Sequence, residues 1–171
     1  MRPQSKSNEW NELDEGIRDL ILAEQVSFPV KVGNIAKNLG IQVRSATLSA
    51  GISGEIKEIN GIVVARINRH DVKARQRFTV AHEIGHFLLH REFIGDGIID
   101  DILYRSFLSN SQEAEANRLA ADIIMPWHLI QENLESITTS HLERKIELLS
   151  ESAEVSTTAM NIRLGRKKTG L

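Results

Sequence analysis

The chain contains no cysteine, which removes disulfides, thiolate metal ligands and a cysteine nucleophile at a stroke. Any metal would have to be held by histidine and carboxylate side chains. A chain without cysteine also fits the reducing cytoplasm. Long apolar runs are missing too, and the opening Met1-Arg-Pro-Gln-Ser-Lys-Ser is polar with no apolar stretch behind it. A secretory leader and a membrane span are therefore not expected, and the expected location is cytoplasmic. Charge of one sign is lacking as well. Twenty-one Lys and Arg stand against 23 Asp and Glu, a net charge of -2, so the whole molecule has no pull toward nucleic acid. What remains is 171 residues, 41% of them hydrophobic, enough for one compact domain and too few for two large ones.

The patterns predict an α+β fold: a small, mostly antiparallel sheet packed on a central helix, with a helical C-terminal part. Trp10, Leu13, Ile17, Leu20 and Ile21 recur at helical spacing and read as one amphipathic first helix. A short helix from Val32 to Leu39 should stop at Gly40. Ile41 and Val43 alternate with polar residues as in a strand, and Gly54 to Asn68 reads as a hairpin turning at Asn60-Gly61. About three strands are expected. A third helix covers roughly Ala74 to His90. A fourth starts near Asn110, where Glu113 three residues later gives capping-box spacing, and ends before Pro126. The Gly- and Asp-rich stretch from Ile94 to Asp101 between them reads as a loop. Beyond Pro126 helical patterns run near Leu129 to Ile137, Leu142 to Leu149 and Ser156 to Leu164, followed by a basic tail. The expected division is a core at 1–126 and a helical extension at 127–171.

The chemistry is concentrated in Phe78-Thr-Val-Ala-His82-Glu83-Ile-Gly-His86-Phe-Leu-Leu-His90. It holds H-E-x-x-H within a segment that reads independently as a helix. By chance the pattern would occur in roughly two such chains per hundred, so the helical context is needed to give it weight. On a helix, positions four apart share a face, and His82 and His86 can reach one metal ion. Glu83 adjoins the first ligand, where its carboxylate can accept a proton from water that the metal activates. Gly85 leaves room for a close neighbour. A catalytic zinc needs a third protein ligand and one open position. The second helix offers Glu113, with Asn117 one turn on to orient a ligand imidazole, while Glu115 points elsewhere and reads as an exposed charge. Zinc is the expected ion, and Mn2+ or Fe2+ would fit the same ligands.

Peptide-bond hydrolysis is the expected reaction. Tyr104, Arg105, His90 and His141 are candidates for stabilising the oxyanion. As plain structural residues, His90 reads as a helix end, His70 as a loop residue, and His128 and His141 as surface or capping positions. The strand Ile62 to Ile67, if it lies at a sheet edge, could pair with an extended substrate.

Taken together, Val32 to Gly40, the hairpin, Arg75-Gln-Arg-Phe-Thr-Val-Ala-His-Glu-Ile-Gly-His86 and Glu113-Ala-Glu-Ala-Asn-Arg-Leu-Ala-Ala-Asp-Ile-Ile-Met-Pro126 resemble the ImmA/IrrE family of metallopeptidases over nearly the whole chain. The resemblance implies a gluzincin-like site with His82, His86 and Glu113 as metal ligands and Glu83 as the catalytic carboxylate. It further implies a regulatory protease of bacteria, phages or mobile elements. The implied substrate is a helix-turn-helix, Xre-type transcriptional repressor, whose cleavage derepresses stress or mobile-element genes. Asn117 departs from the family, because related zinc sites often have Asp there. At this length the extra sensor domain of larger members is not expected.

Two other readings compete. Leu148, Leu149, Ala153, Val155 and the segment Ser156 to Leu164, followed by Arg166, Lys167 and Lys168, resemble the end of a helix-turn-helix and would suit direct DNA binding. Alternatively the fold serves as a toxin- or antitoxin-type partner-binding regulator, with hydrolysis secondary.

Overall fold

The computed structural model describes residues 6–101 and 110–166 of the chain. The expected first helix is two. Ser7 caps α1 (Asn8–Glu12) by accepting from Trp10 N, and Asp14 caps α2 (Glu15–Leu22) by accepting from Gly16 N. The apolar spacing runs through both because Trp10 and Ile21 enter one core. The Asp14 carboxylate, however, satisfies the Gly16 N–H that a continuous helix would have to bond internally, and the chain breaks there. α3 (Val32–Asn38) ends before Gly40 as expected.

The sheet has four strands in the order β1-β3-β2-β4: β1 (Ile41–Ala46), β2 (Ile52–Ile59), β3 (Ile62–Asn68) and β4 (Ile98–Asp101). The pairs β2/β3 and β2/β4 are antiparallel and β1/β3 is parallel. Asn60 and Gly61 turn the β2/β3 hairpin with φ of 51° and 77°, the left-handed pair that a tight hairpin requires. Two expectations are corrected here. Ile94 to Asp101 is not all loop, since its last four residues form β4; so short a segment has no period of its own, and β2 supplies the pairing. β3 lies inside the sheet with both edges taken, so its backbone has no free edge to offer an extended substrate.

α4 (Lys73–Leu89) crosses this sheet, packed against β2 and β3 on one side and α5 (Asn110–Ile124) on the other. Every residue from Thr79 to His86 is buried. Eight buried residues in a row exceed two turns, so the helix is covered all round rather than along a stripe. α4 and α5 approach closely at Gly85, where a Cβ would lie 2.9 Å from the Ala116 carbonyl oxygen.

After Pro126 come α6 (Trp127–Ser136), α7 (Leu142–Ala153) and α8 (Thr157–Arg163). They bury Leu129, Ile130, Leu149 and Met160 in the same apolar cluster as Ile84 of α4. The two ends of the described chain meet on Asp122 of α5. One carboxylate oxygen accepts from Ser7 N at 2.8 Å and the other from Arg163 Nη2 at 2.7 Å. Lys73 Nζ, at the start of α4, reaches Glu154 after α7 at 2.8 Å. Among the described residues no helix is long and apolar enough to cross a membrane.

Candidate metal centre

α4 carries His82 and His86 one turn apart on the face toward α5, and α5 brings Glu113 against them. The two Nε2 atoms are 2.8 Å apart; Glu113 Oε2 is 3.3 Å from His82 Nε2, and Glu113 Oε1 is 3.6 Å from His86 Nε2. Tetrahedral ligands at zinc bond lengths stand about 3.3 Å from one another, so the three observed spacings straddle what one ion requires. Of the described residues, His82, His86 and Glu113 are the group that could hold a metal ion. Two imidazole nitrogens and a carboxylate with no sulfur suit zinc and do not exclude manganese or iron.

Each imidazole is also held from behind. His82 Nδ1 is 3.0 Å from Asn117 Oδ1, the partner expected of Asn117. His86 Nδ1 is 3.0 Å from His90 Nδ1, and His90 Nε2 is 3.1 Å from Glu115 Oε2. The reading of Glu115 as an idle exposed charge is thus corrected, since it closes a chain of contacts that begins at a candidate ligand. Ser111 Oγ steadies its other oxygen at 3.1 Å. His90 is a helix end, the cap of α4, but the residue is only 3% exposed and its side chain is engaged behind His86. The spacing 82, 86, 90 could have shown that all three histidines share a face.

Glu83 is fully buried on the α4 face toward the sheet. β2 comes so near that a Cβ at Gly54 would stand 2.7 Å from Glu83 Oε1 and 2.5 Å from the Thr79 methyl. The other histidines lie elsewhere. His141 is exposed at the start of α7, His128 meets the Gln25 carbonyl at 2.8 Å, and His70 is exposed after β3. Tyr104 and Arg105 fall outside the described residues.

Protonation favours metal binding. Burial pushes the His86 imidazole down to about 4, against the pull of Glu113. Burial opposes an ionised Glu113, but its contacts with His82 and His86 win and hold the carboxyl well below its usual range. At neutral pH His86 is therefore neutral and Glu113 charged, the forms that bind metal. The metal-free fold should feel this. Folded protein binds the His86 proton less tightly than unfolded chain, so the stability is complete above pH 6.5 and drains away as pH falls toward 4. The loss should reach about 3 kcal/mol at about 1.4 kcal/mol per pH unit. Urea unfolding of chelator-treated protein at pH 7 and pH 4.5 measures it; equal midpoints would contradict the burial argument.

Beside the trio opens a cavity of about 860 Å3 whose wall includes His82, Glu113 and Asn117, with Phe78 of α4, Met125 after α5 and Ile162 of α8. Its size is that of a ligand site. The cations on its rim are already engaged: Arg163 is paired with Asp122, Arg118 with Glu9, and Arg75 with Ser53 and Asp71. α8 is thus one wall of the cleft, and Arg163, within the Ser156 to Leu164 segment of the helix-turn-helix resemblance, is turned inward.

A His-His-Glu trio spread over two packed helices, with a glutamate beside the first histidine and a cleft alongside, is an arrangement suited to a metallopeptidase. The sequence profile described as the IrrE N-terminal-like domain of the peptidase M78 family matches residues 36–165, and the chain belongs to that family. Among solved structures it is similar to a Mycobacterium tuberculosis transcriptional regulator, with a TM-score of 0.62 and 13% identity over 95% of this chain and 48% of that one. The chain spans about half the length of that structure, and at such identity the likeness is one of fold. No curated protein sequence matches the chain.

Proposed function

We propose that the chain is a zinc-dependent metallopeptidase, an endopeptidase that cleaves a helix-turn-helix, Xre-type repressor in the cytoplasm and so derepresses stress or mobile-element genes. The observation that carries the reading is the convergence of His82, His86 and Glu113 at one-ion spacing with Glu83 next to them on α4. In this reading His82, His86 and Glu113 hold zinc, or manganese or iron in its place. Zinc supplies Lewis-acid polarisation of a carbonyl and makes a neighbouring water more acidic. Glu83 takes the proton of the attacking water and returns it to the departing amine nitrogen. Asn117 holds the His82 ring by accepting from Nδ1. The cleft walled by Phe78, Met125 and Ile162 receives the polypeptide and excludes water from the reacting bond. Family membership supports a protein substrate, and the shared fold with a transcriptional regulator supports the regulatory role.

Elemental analysis tests the site. Wild type should hold close to one zinc per chain, and His82→Ala and Glu113→Ala should each lose most of it, because three protein ligands leave none to spare. A wild type that takes up no zinc would return the protein to the partner-binding reading. Loss in His82→Ala alone would remove Glu113 from the ligand set.

A further inference from the structure

The two imidazoles point Nε2 toward each other and toward Glu113, so a metal there takes both Nε2 lone pairs and each ring must carry its proton on Nδ1. For His82 that proton meets an acceptor, Asn117 Oδ1. For His86 it meets another imidazole nitrogen, His90 Nδ1, at 3.0 Å. Such a contact is favourable only when one of the two nitrogens is bare, so His90 Nδ1 accepts and His90 keeps its proton on Nε2. That proton points at Glu115 Oε2, 3.1 Å away. Every link then runs one way, His86 donating to His90 and His90 donating to a carboxylate. The opposite tautomer of His90 would set two hydrogens against each other and a lone pair against an anion. His90 is buried, so bulk water has no access to take over its contact with His86.

We propose that His90 and Glu115 are positioning residues for the metal centre, locking His86 in its Nδ1–H form with Nε2 presented to the ion and passing a carboxylate's charge to it through one intervening ring. The inference rests on the zinc reading above. It also gives a physical sense to Asn117. The neutral amide orients His82 without adding charge, and the charge missing there is supplied to the other ligand from Glu115.

The test is zinc affinity of the full chain, measured by competition with a fluorescent chelator, beside long-range 1H–15N NMR of the zinc-free protein, where the ion does not fix the tautomer. His90→Leu should lose about 10- to 100-fold in affinity. Rescue separates positioning from packing. His90→Asn puts an amide oxygen near the place of Nδ1 and should keep most of the affinity, whereas His90→Gln fills the place of Nε2 and should not. Glu115→Ala, at a half-buried position where folding is safe, should lose affinity too. Combined with His90→Leu it should cost no more than His90→Leu alone, because the two act in series. Wild-type His86 should show its proton on Nδ1 and lose that signature in His90→Leu. Zinc binding within twofold of wild type in His90→Leu and Glu115→Ala, or equal weakness of the Asn and Gln variants, overturns the inference while leaving the zinc reading intact. A wild type with no zinc affinity overturns both.

Discussion

Glu83→Gln should slow hydrolysis at least about 100-fold, the lower end of what a positioned general base contributes, while zinc content stays near one per chain. The two outcomes separate because Glu83 is not a member of the ligand trio. His82 and His86 face Glu113 of α5, and Glu83, one residue on, is buried toward β2 with its carboxylate against Gly54. Glutamine has the same shape and volume, so the α4–β2 contact survives and only the proton acceptor goes. Cleavage of a purified helix-turn-helix repressor, followed by fragment mass, reads the rate; elemental analysis and a melting curve read the site and the fold. Cleavage at the wild-type rate would defeat the assignment of the base. Zinc lost together with cleavage would make Glu83 a structural support of the site. Reporter derepression that persists when cleavage is gone would favour the partner-binding reading.

The helices that matter most for this chemistry were legible because their signals are local. A residue four after His82 shares its face whatever the tertiary structure, and Pro126 ends a helix wherever it sits. The glycine in His-Glu-Ile-Gly-His announces a close neighbour, and Ala116 is that neighbour. Signals that depend on another element were not legible. β4 is a strand because β2 offers it an edge, and the break at Asp14 reflects a cap competing with an unbroken apolar pattern. Glu113 and Glu115 are two residues apart on α5, so helical geometry turns them in different directions. Spacing alone sends the first to the metal ligands and the second to solvent. Only the crossing of α5 over the end of α4 brings Glu115 to His90. An oxyanion donor is the role for which sequence offered four names. His141 lies exposed at the start of α7 and His90 faces away from the ion behind His86, while Tyr104 and Arg105 lie outside the described residues.

Gly85→Val should destabilise the protein by about 3 kcal/mol or more, at the upper end of what overpacking costs, and should strip the metal at the same time. The Cβ alone would lie 2.9 Å from Ala116 O and 3.1 Å from Ala116 Cα, both backbone atoms of α5 that no rotamer change can move aside. Relief therefore requires α5 to shift as a body. Ala116 is one turn from Glu113, and the shift draws that carboxylate away from His82 and His86. Even Gly85→Ala should destabilise, although alanine is the better helix former by roughly 1 kcal/mol. Gly33 in α3 is the internal control. A Cβ there meets nothing within 4 Å, so Gly33→Ala should keep the propensity gain and stabilise by up to about 1 kcal/mol. Urea unfolding of the three variants, with zinc content measured beside it, distinguishes the causes. A Gly85→Ala protein as stable as wild type with full zinc would mean that α4 and α5 separate at no cost, and that their close approach does not set the spacing of the trio.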